Sequence, residues 1–424
     1  MSRSCAKGAE DTCVNYPKLY RAKQTFERPR LESIEETVKA TLSRVASRVK
    51  PGQSVAVTAG SRGIANIARI LRAVISELKA LQLDVFIVPA MGSHGGATAA
   101  GQVQILAHYG ITEETMGVPI RATMEVRKVG VTPEGVPVYV DAEVLEADWL
   151  LPVNRVKAHT YHTGDIESGL SKMLMIGIGN EIGASTYHRA AMRIPFSKLA
   201  RSVVPIVLRE ARVLCGVAIV ENPYDETCHI EAVMPEVYQQ REIELLAWAK
   251  SLMPRLPLRE LDVLIIDWMG KDISGGGIDT NVVGRSKKTG TNILMLFVRD
   301  ITPASHGNAL GIGYCDVTTR KLTDKVDWKK TYINCIASCD VEAGMIPLTY
   351  DTEREALNVA LGTIGLRAPE DAVLLWIRDT LHVFDLVISE RARELLRGNP
   401  QVAVDPQPLG FEFRGDELIS PFEA

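Results

Sequence analysis

The sequence predicts an α/β fold of two domains built on mainly parallel sheets. Three observations carry that expectation. Residues 34–96 alternate amphipathic helices with short apolar runs that end in glycine-rich turns. A second unit of the same kind begins at residues 262–268 and leads into the glycine-rich loop 270–281. Between the two, Pro254 and Pro257 follow a helical stretch over residues 242–252 and mark a linker. A strand–loop–helix–strand–loop order is the grammar of right-handed crossovers between parallel strands.

Each element follows from its pattern. Ile34, Val38, Leu42, Val45 and Val49 recur at helical spacing, and Pro51-Gly52 ends that helix. Residues 54–58 form a short apolar strand, followed by the turn Ala59-Gly60-Ser61-Arg62-Gly63. Ile64, Ile67, Leu71, Val74 and Leu78 mark one face of a second helix. Residues 84–90 are the next strand, which runs directly into Gly92-Ser93-His94-Gly95-Gly96. Residues 136–140 and 148–153 read as further strands, and the second delivers residues 154–159 to the same edge. Residues 203–209 and 214–220 extend this domain. In the second half, residues 262–268, 292–299 and 372–377 supply strands, and from Ala403 the chain reads as an extended tail. The expected domains are therefore residues 1–253 and 258–400, with a tail over 401–424.

Composition narrows the function classes. With 424 residues and 46% apolar content the chain has material for a large core. A net charge of −4 gives no electrostatic case for a nucleic-acid partner. No apolar run reaches the roughly 18 residues of a membrane span, and the polar N-terminus lacks a signal-peptide core. The seven cysteines are odd in number, scattered, and form no C-x-x-C pair, which fits reduced thiols in a cytoplasmic protein.

The chemistry concentrates in a few segments. Ligands of parallel sheets sit beyond the carboxyl ends of the strands, so Arg62 and His94 are expected to face one crevice. The chain has eight histidines, and His94, His159, His162 and His188 fall in two short segments. One of these reads Lys157-Ala158-His159-Thr160-Tyr161-His162, continues through Gly169-Leu170-Ser171-Lys172-Met173, and closes at Ala184-Ser185-Thr186-Tyr187-His188. Neutral imidazoles beside lysines suit proton transfer and transition-metal ligation. The plainer readings are a turn histidine at position 94 and a snorkelling lysine at 172. Lys271, at a strand end, suits anion binding, whereas Asp279 and Asn281 equally describe an Asx turn. His306, also flanked by glycine, divides evenly between the two kinds of role. The glycine run lacks the Gly-Lys-Ser/Thr ending of a P-loop, and neither His-Glu-x-x-His nor Gly-x-Ser-x-Gly occurs, which sets aside triphosphatase, zinc-peptidase and esterase readings.

Taken together, these segments resemble the lactate racemase family, whose members use a nickel-pincer nucleotide. The resemblance covers roughly residues 50–400. It is most specific in the Gly-Ser-His loop, the Lys-Ala-His-Thr segment, and the Lys172-to-His188 interval, whose length matches the family's spacing from cofactor lysine to nickel-binding histidine. It implies two α/β domains with the cofactor (pyridinium-3,5-bisthiocarboxylic acid mononucleotide nickel) in the interdomain cleft, and a tail returning to the first domain. Lys172 would hold the pyridinium ring, and His188 would complete the nickel plane beside the pincer's sulfur and carbon donors. His94 and His159 would be the two acid–base residues, and Arg62 would lie beside substrate and cofactor. Lys271, with substrate, and Asp279 and Asn281, with cofactor, fall in the second-domain loop that closes on the site.

The implied reaction is racemisation or epimerisation of a 2-hydroxy acid by reversible hydride transfer. Its α-hydrogen is too tightly held for simple deprotonation beside a carboxylate. Removal as hydride, while a base takes the hydroxyl proton, gives a flat 2-oxo acid, and return to the other face inverts the centre. Inversion therefore needs a base for each face and a hydride acceptor, and a planar guanidinium suits the carboxylate. A lyase or dehydrogenase of a related hydroxy or sugar acid on the same scaffold is the alternative, and a non-catalytic binder the third reading. The implied partners are a small 2-hydroxy acid and cofactor biosynthesis proteins, with a homo-oligomer left open. The lactate-acting members carry Gly-Gly-Arg-Lys where this chain has Gly169-Leu170-Ser171-Lys172, and an acidic residue where it has Ala59. His162 has no clear counterpart. These departures place the chain on a branch apart from the lactate enzymes.

Overall fold

Apolar residues in Ser54–Ala59 and Asp84–Pro89 are buried almost without interruption, so these strands need cover on both faces. The structure, a computed structural model, describes residues 14–60, 63–286 and 290–422, and in it both strands lie in a parallel sheet with Trp149–Leu151. Side chains alternate across that sheet. Val55, Val57, Val85 and Ile87 meet one core with Ile70, Leu71, Val74 and Leu78 of the helix Ile67–Ala80. Ala56, Phe86, Val88 and Leu150 meet another with Leu170, Leu174 and Met175. Fully burying each such side chain contributes about 1.5–3 kcal/mol relative to leaving it exposed.

The strand expected over residues 148–153 is two strands. Trp149–Leu151 joins the first sheet, and after Pro152 the strand Val153–Arg155 pairs in parallel with Gly216–Glu221 in a second. Proline supplies no N–H to a ladder, and the Pro152 carbonyl accepts from Val217 N at 2.7 Å, turning the chain from one sheet to the next. Thr227–Val233 completes that second sheet, and Val126–Val131 with Pro137–Asp141 forms a separate hairpin. These elements belong to one compact unit, Phe26–Met253.

The other unit joins the chain up to Thr25 with everything from Pro254 onward. Its sheet has eight strands, in the order Leu348–Tyr350, Val317–Thr319, Asn292–Ile301, Glu260–Met269, Leu374–Ile377, Asp385–Ser389, Leu19–Gln24 and Val402–Leu409. The first five run parallel and the remaining pairings are antiparallel. Two domain expectations are corrected here. The strand Leu19–Gln24 is part of this unit, although residues 1–253 were assigned to the first domain. The tail over 401–424 also stays here, because Val402–Leu409 pairs with Leu19–Gln24.

Burial explains both corrections. Tyr20, Ala22 and Gln24 point inward at alternate positions of their strand, and Leu19 joins the same core as Trp376. Farther along the tail, Leu418 N donates to Glu353 at 2.6 Å and the Ser420 hydroxyl donates to Asp267. Those two carboxylates flank the buried Arg299, which also donates to the Leu418 carbonyl. Removing one member of such a group strands a buried charge, which makes the tail an obligatory part of this core. Among the described residues, no helix is long and apolar enough to cross a membrane.

Candidate active site

The strand Val153–Arg155 hands the chain to a loop closed at its base by an antiparallel bridge, Lys157 with Ser168. The buried Glu167 organises what the bridge encloses. One carboxylate oxygen accepts from His159 N at 2.9 Å, and the other accepts from Gly164 N at 3.0 Å and from Lys250 Nζ at 2.7 Å. Lys250 donates as well to the Gly164 carbonyl. The acid at 167 thus positions the histidine loop, a role sequence reasoning missed.

Within the loop, His159 Nδ1 accepts from Tyr161 N at 2.9 Å and from His162 N at 3.0 Å. A ring nitrogen that accepts two amides carries no proton, so the neutral ring has its hydrogen on Nε2. This arrangement suits donation of a hydrogen bond from Nε2. Protonating Nδ1 would sacrifice both amide bonds, at about 0.5–1.5 kcal/mol each.

His162 is the imidazole that links the cluster. Its ring stacks on His159 with centroids 4.6 Å apart, on Phe196 at 4.3 Å and 7°, and lies 6.2 Å from His188 at 20°. The sequence signal for it was present, two histidines three residues apart, but gave no reason to prefer this one.

Lys172 ends a short helix, Leu170–Lys172, that continues as a π-turn over Met173–Gly177. Single π-turns are over-represented at functional sites. The start of this helix is held by Glu242, fully buried, which accepts from Ser171 N at 3.0 Å and from the Ser171 hydroxyl. A Cβ on Gly169 would lie 2.3 Å from Glu242 Oε1, so glycine is required there by the acid. Burial pushes the Glu242 carboxyl up to about 7 against the stabilising bonds from Ser171 and the adjoining amide.

His188 lies in the last turn of the helix Asn180–Ala191. That helix is anchored at its start by Asn180, whose Nδ2 donates to Asp141 at 2.7 Å and to the Thr123 carbonyl at 3.1 Å. Burial, and secondly the positive charge of Lys172, push the His188 imidazole down to about 4. At neutral pH the ring is therefore uncharged, with a lone pair available to a metal.

The His94 loop is tied to the same segment. Gly92, at φ +62°, donates from its N to the Gly177 carbonyl at 3.2 Å, and a Cβ there would lie 3.1 Å from Ile176 O and 3.2 Å from Ala184 Cβ. These small residues let the loop pack against the π-turn and the His188 helix. His94 itself is exposed two residues on. A Cβ on Gly60 would touch Met173, next to Lys172, at 3.3 Å, so the turn leading to Arg62 starts at this segment too. Arg62 lies outside the described residues.

The structure thus brings His159, His162, His188 and Lys172 together in one unit, with the His94 loop packed on their scaffold. Lys271, Asp279 and Asn281 belong to the other unit, where their hydrogen bonds hold loop backbone. Lys271 N donates to Ser305 Oγ at 2.8 Å and its Nζ donates to the Gly275 carbonyl. Asp279 caps the short helix Thr280–Val283, accepting from Asn281 N at 2.8 Å and Asn281 Nδ2 at 2.9 Å, while its own N donates to Thr380. Among the described residues, no group of three or more His, Cys, Asp or Glu side chains is arranged to hold a metal ion.

Comparison with known proteins bears on this geometry. Residues 16–199 match the model of the lactate racemase N-terminal domain. The fold is similar to that of the lactate racemase apoprotein from Thermoanaerobacterium thermosaccharolyticum, with a TM-score of 0.54 and 13% identity, covering 87% of this chain and 94% of that one. A structural-genomics protein from Thermotoga maritima is similar at a TM-score of 0.50 and 16% identity, covering 76% of this chain and 83% of that one. No protein of curated function matches the sequence.

Proposed function

We propose that this chain, a homologue of the lactate racemase family, racemises or epimerises a 2-hydroxy acid with the help of a nickel-pincer nucleotide held by Lys172 and His188. One observation carries the reading: an uncharged imidazole at 188 shares its surroundings with the Lys172 amine and the stacked rings of His162 and His159. The donor set fits such a group. His188 offers a single neutral nitrogen close to the Lys172 amine.

When bound, that group supplies the acceptor and donor of hydride. The chain's residues do the rest. Lys172, on a helix start clamped by Glu242, holds the cofactor ring. His94, exposed on its glycine loop, takes and returns the hydroxyl proton on one face of the substrate. On the other face His159, its Nδ1 engaged by two amides, presents Nε2–H as a hydrogen-bond donor that steadies charge on the substrate oxygen, with His162 stacked beside it. Arg62, by its planar fork, holds the carboxylate. Each positioned acid–base group is typically worth ~10²–10⁴ in rate.

The test has two parts. Protein co-produced with the cofactor's biosynthetic enzymes is weighed intact and assayed for nickel, and then offered a panel of single-enantiomer 2-hydroxy acids. Added mass or retained nickel together with loss of optical activity supports the reading. Net oxidation or loss of water instead makes the protein a dehydrogenase or lyase, and cofactor-free protein from that host removes the proposal.

A further inference from the structure

The helix Trp328–Ser338 of the C-terminal unit is inverted. Its inward face carries Thr331 and Cys335, both buried, while Tyr332, Ile333 and Ile336 face solvent at 45%, 56% and 74% exposure. A surface helix ordinarily turns its apolar stripe to the core and its polar face outward. The chain then doubles back beside this helix. Gly344 packs so closely that a Cβ would meet Cys335 Sγ at 2.7 Å and the Tyr332 ring at 3.5 Å. This return adds Val341, Met345 and Ile346 to the same surface, at 73%, 55% and 63% exposure. Single exposed apolar residues are ordinary, but contiguous patches mark interaction sites. Six such side chains together make a patch on the order of several hundred Å², the size at which an apolar patch is often functional, though below the roughly 800 Å² that one partner buries in a standard interface.

We propose that this face is the two-fold interface of a homodimer. Charge argues for a second copy over an unlike partner. No charged residue lies between Thr331 and Ser338, and Asp340 is buried and bonded to the Tyr314 hydroxyl. The charges sit at opposite ends: Lys329 is exposed at the helix start and Glu342 is exposed just past its end. A two-fold axis perpendicular to the helix sets two copies antiparallel, which brings Lys329 of each to Glu342 of the other, so the surface complements itself. The neighbouring edge strand Leu348–Tyr350 is three residues long and bounded by Pro347 and Asp351, a design that resists strand addition. Contact is therefore made through the helix face.

The experiment is sedimentation equilibrium of the full chain at about 10 μM, within the range of ordinary protein associations. The parent sediments as a dimer, and Ile336→Glu raises its dissociation constant about 100-fold or more, leaving monomer with an unchanged circular-dichroism melt. Lys329→Glu weakens the dimer, and adding Glu342→Lys restores it. This charge swap decides the matter if Ile336→Glu fails to fold. A monomeric parent, a dimer indifferent to Ile336→Glu in a folded protein, or a charge swap without rescue overturns the interface.

Discussion

The segment from His159 to His188 and the loop from Lys271 to Asn281 look alike in sequence: glycines, small residues, and a few ionisable groups beyond a strand end. They use those groups differently. In the N-terminal unit, buried acids at 167 and 242 hold the backbone, which leaves imidazole and amine side chains to converge. In the C-terminal unit the named side chains hold the backbone themselves. Lys271 donates to the Gly275 carbonyl, and Asp279 caps its own helix. The difference teaches that a buried acid can take over part of the structural work of a strand-end loop, which then rests less on the loop's own polar side chains.

The largest effects expected from this contrast are at Lys172 and His188. His188→Ala should reduce nickel retention to background by elemental analysis, and Lys172→Ala should eliminate the cofactor's added mass. In the same assays Lys271→Ala should leave metal and mass as in the parent. Parent-like nickel in His188→Ala would remove the ligand role and, with it, the distinction between the two loops.

Next in size are the histidines that touch substrate in the proposed reaction. His94→Ala and His159→Ala should each lower the racemisation rate by ~10²–10⁴ with cofactor retained. His162→Ala tests whether the ring nearest His188 carries as much. A rate near the parent's in any of the three, measured on protein with full nickel, excludes that ring from proton transfer.

Much of this was legible beforehand, and the exceptions share a cause. The alternation of helices and apolar strands over residues 34–96 is local periodicity, and it survives folding intact. The pairing of Lys172 with His188 was an expectation carried by the family resemblance, whose interval between the two residues this chain shares. What could not be seen are contacts between distant residues. Glu242 meets Ser171 across 71 positions, and Leu19–Gln24 pairs with a tail nearly 400 residues away. A buried glutamate in the helix Tyr238–Leu252 looks like any helix glutamate until its partner is known. The break at Pro152 was readable, since proline within a strand run demotes it. His162 went unselected because period and spacing do not rank two histidines three residues apart.

A smaller effect separates the two buried titratable groups of the N-terminal site. In cofactor-free protein His188 stays neutral down to about 4 while the unfolded imidazole protonates near 6.5. The unfolded chain then binds more protons in that window, so this group's contribution to stability is lost as pH falls through it. Glu242 works oppositely. Its folded carboxyl takes a proton below about 7, so the stabilisation it retains at low pH is lost as pH rises from roughly 4.3 toward that value. The two slopes oppose each other, each limited to at most about 3.5 kcal/mol. Relative to the parent, urea midpoints measured from pH ~4.5 to ~6.5 should therefore rise more steeply with pH in Glu242→Gln and shift toward falling with pH in His188→Gln. Identical slopes in all three proteins would mean that neither group is buried as described.

The smallest effect is expected at Asp279, and it cuts most directly between the two loops. If the carboxylate's work is to cap Thr280–Val283, Asp279→Ala should cost about 1 kcal/mol of stability, read from the urea midpoint, and Asp279→Ser should recover most of it. Nickel content and intact mass should be unaffected by either change. Serine restores a cap because its hydroxyl accepts the same amide hydrogen, but it cannot replace a carboxylate that faces a cofactor's polar groups. Loss of cofactor in both variants, with serine rescuing stability alone, would therefore give Asp279 a binding role beyond its cap.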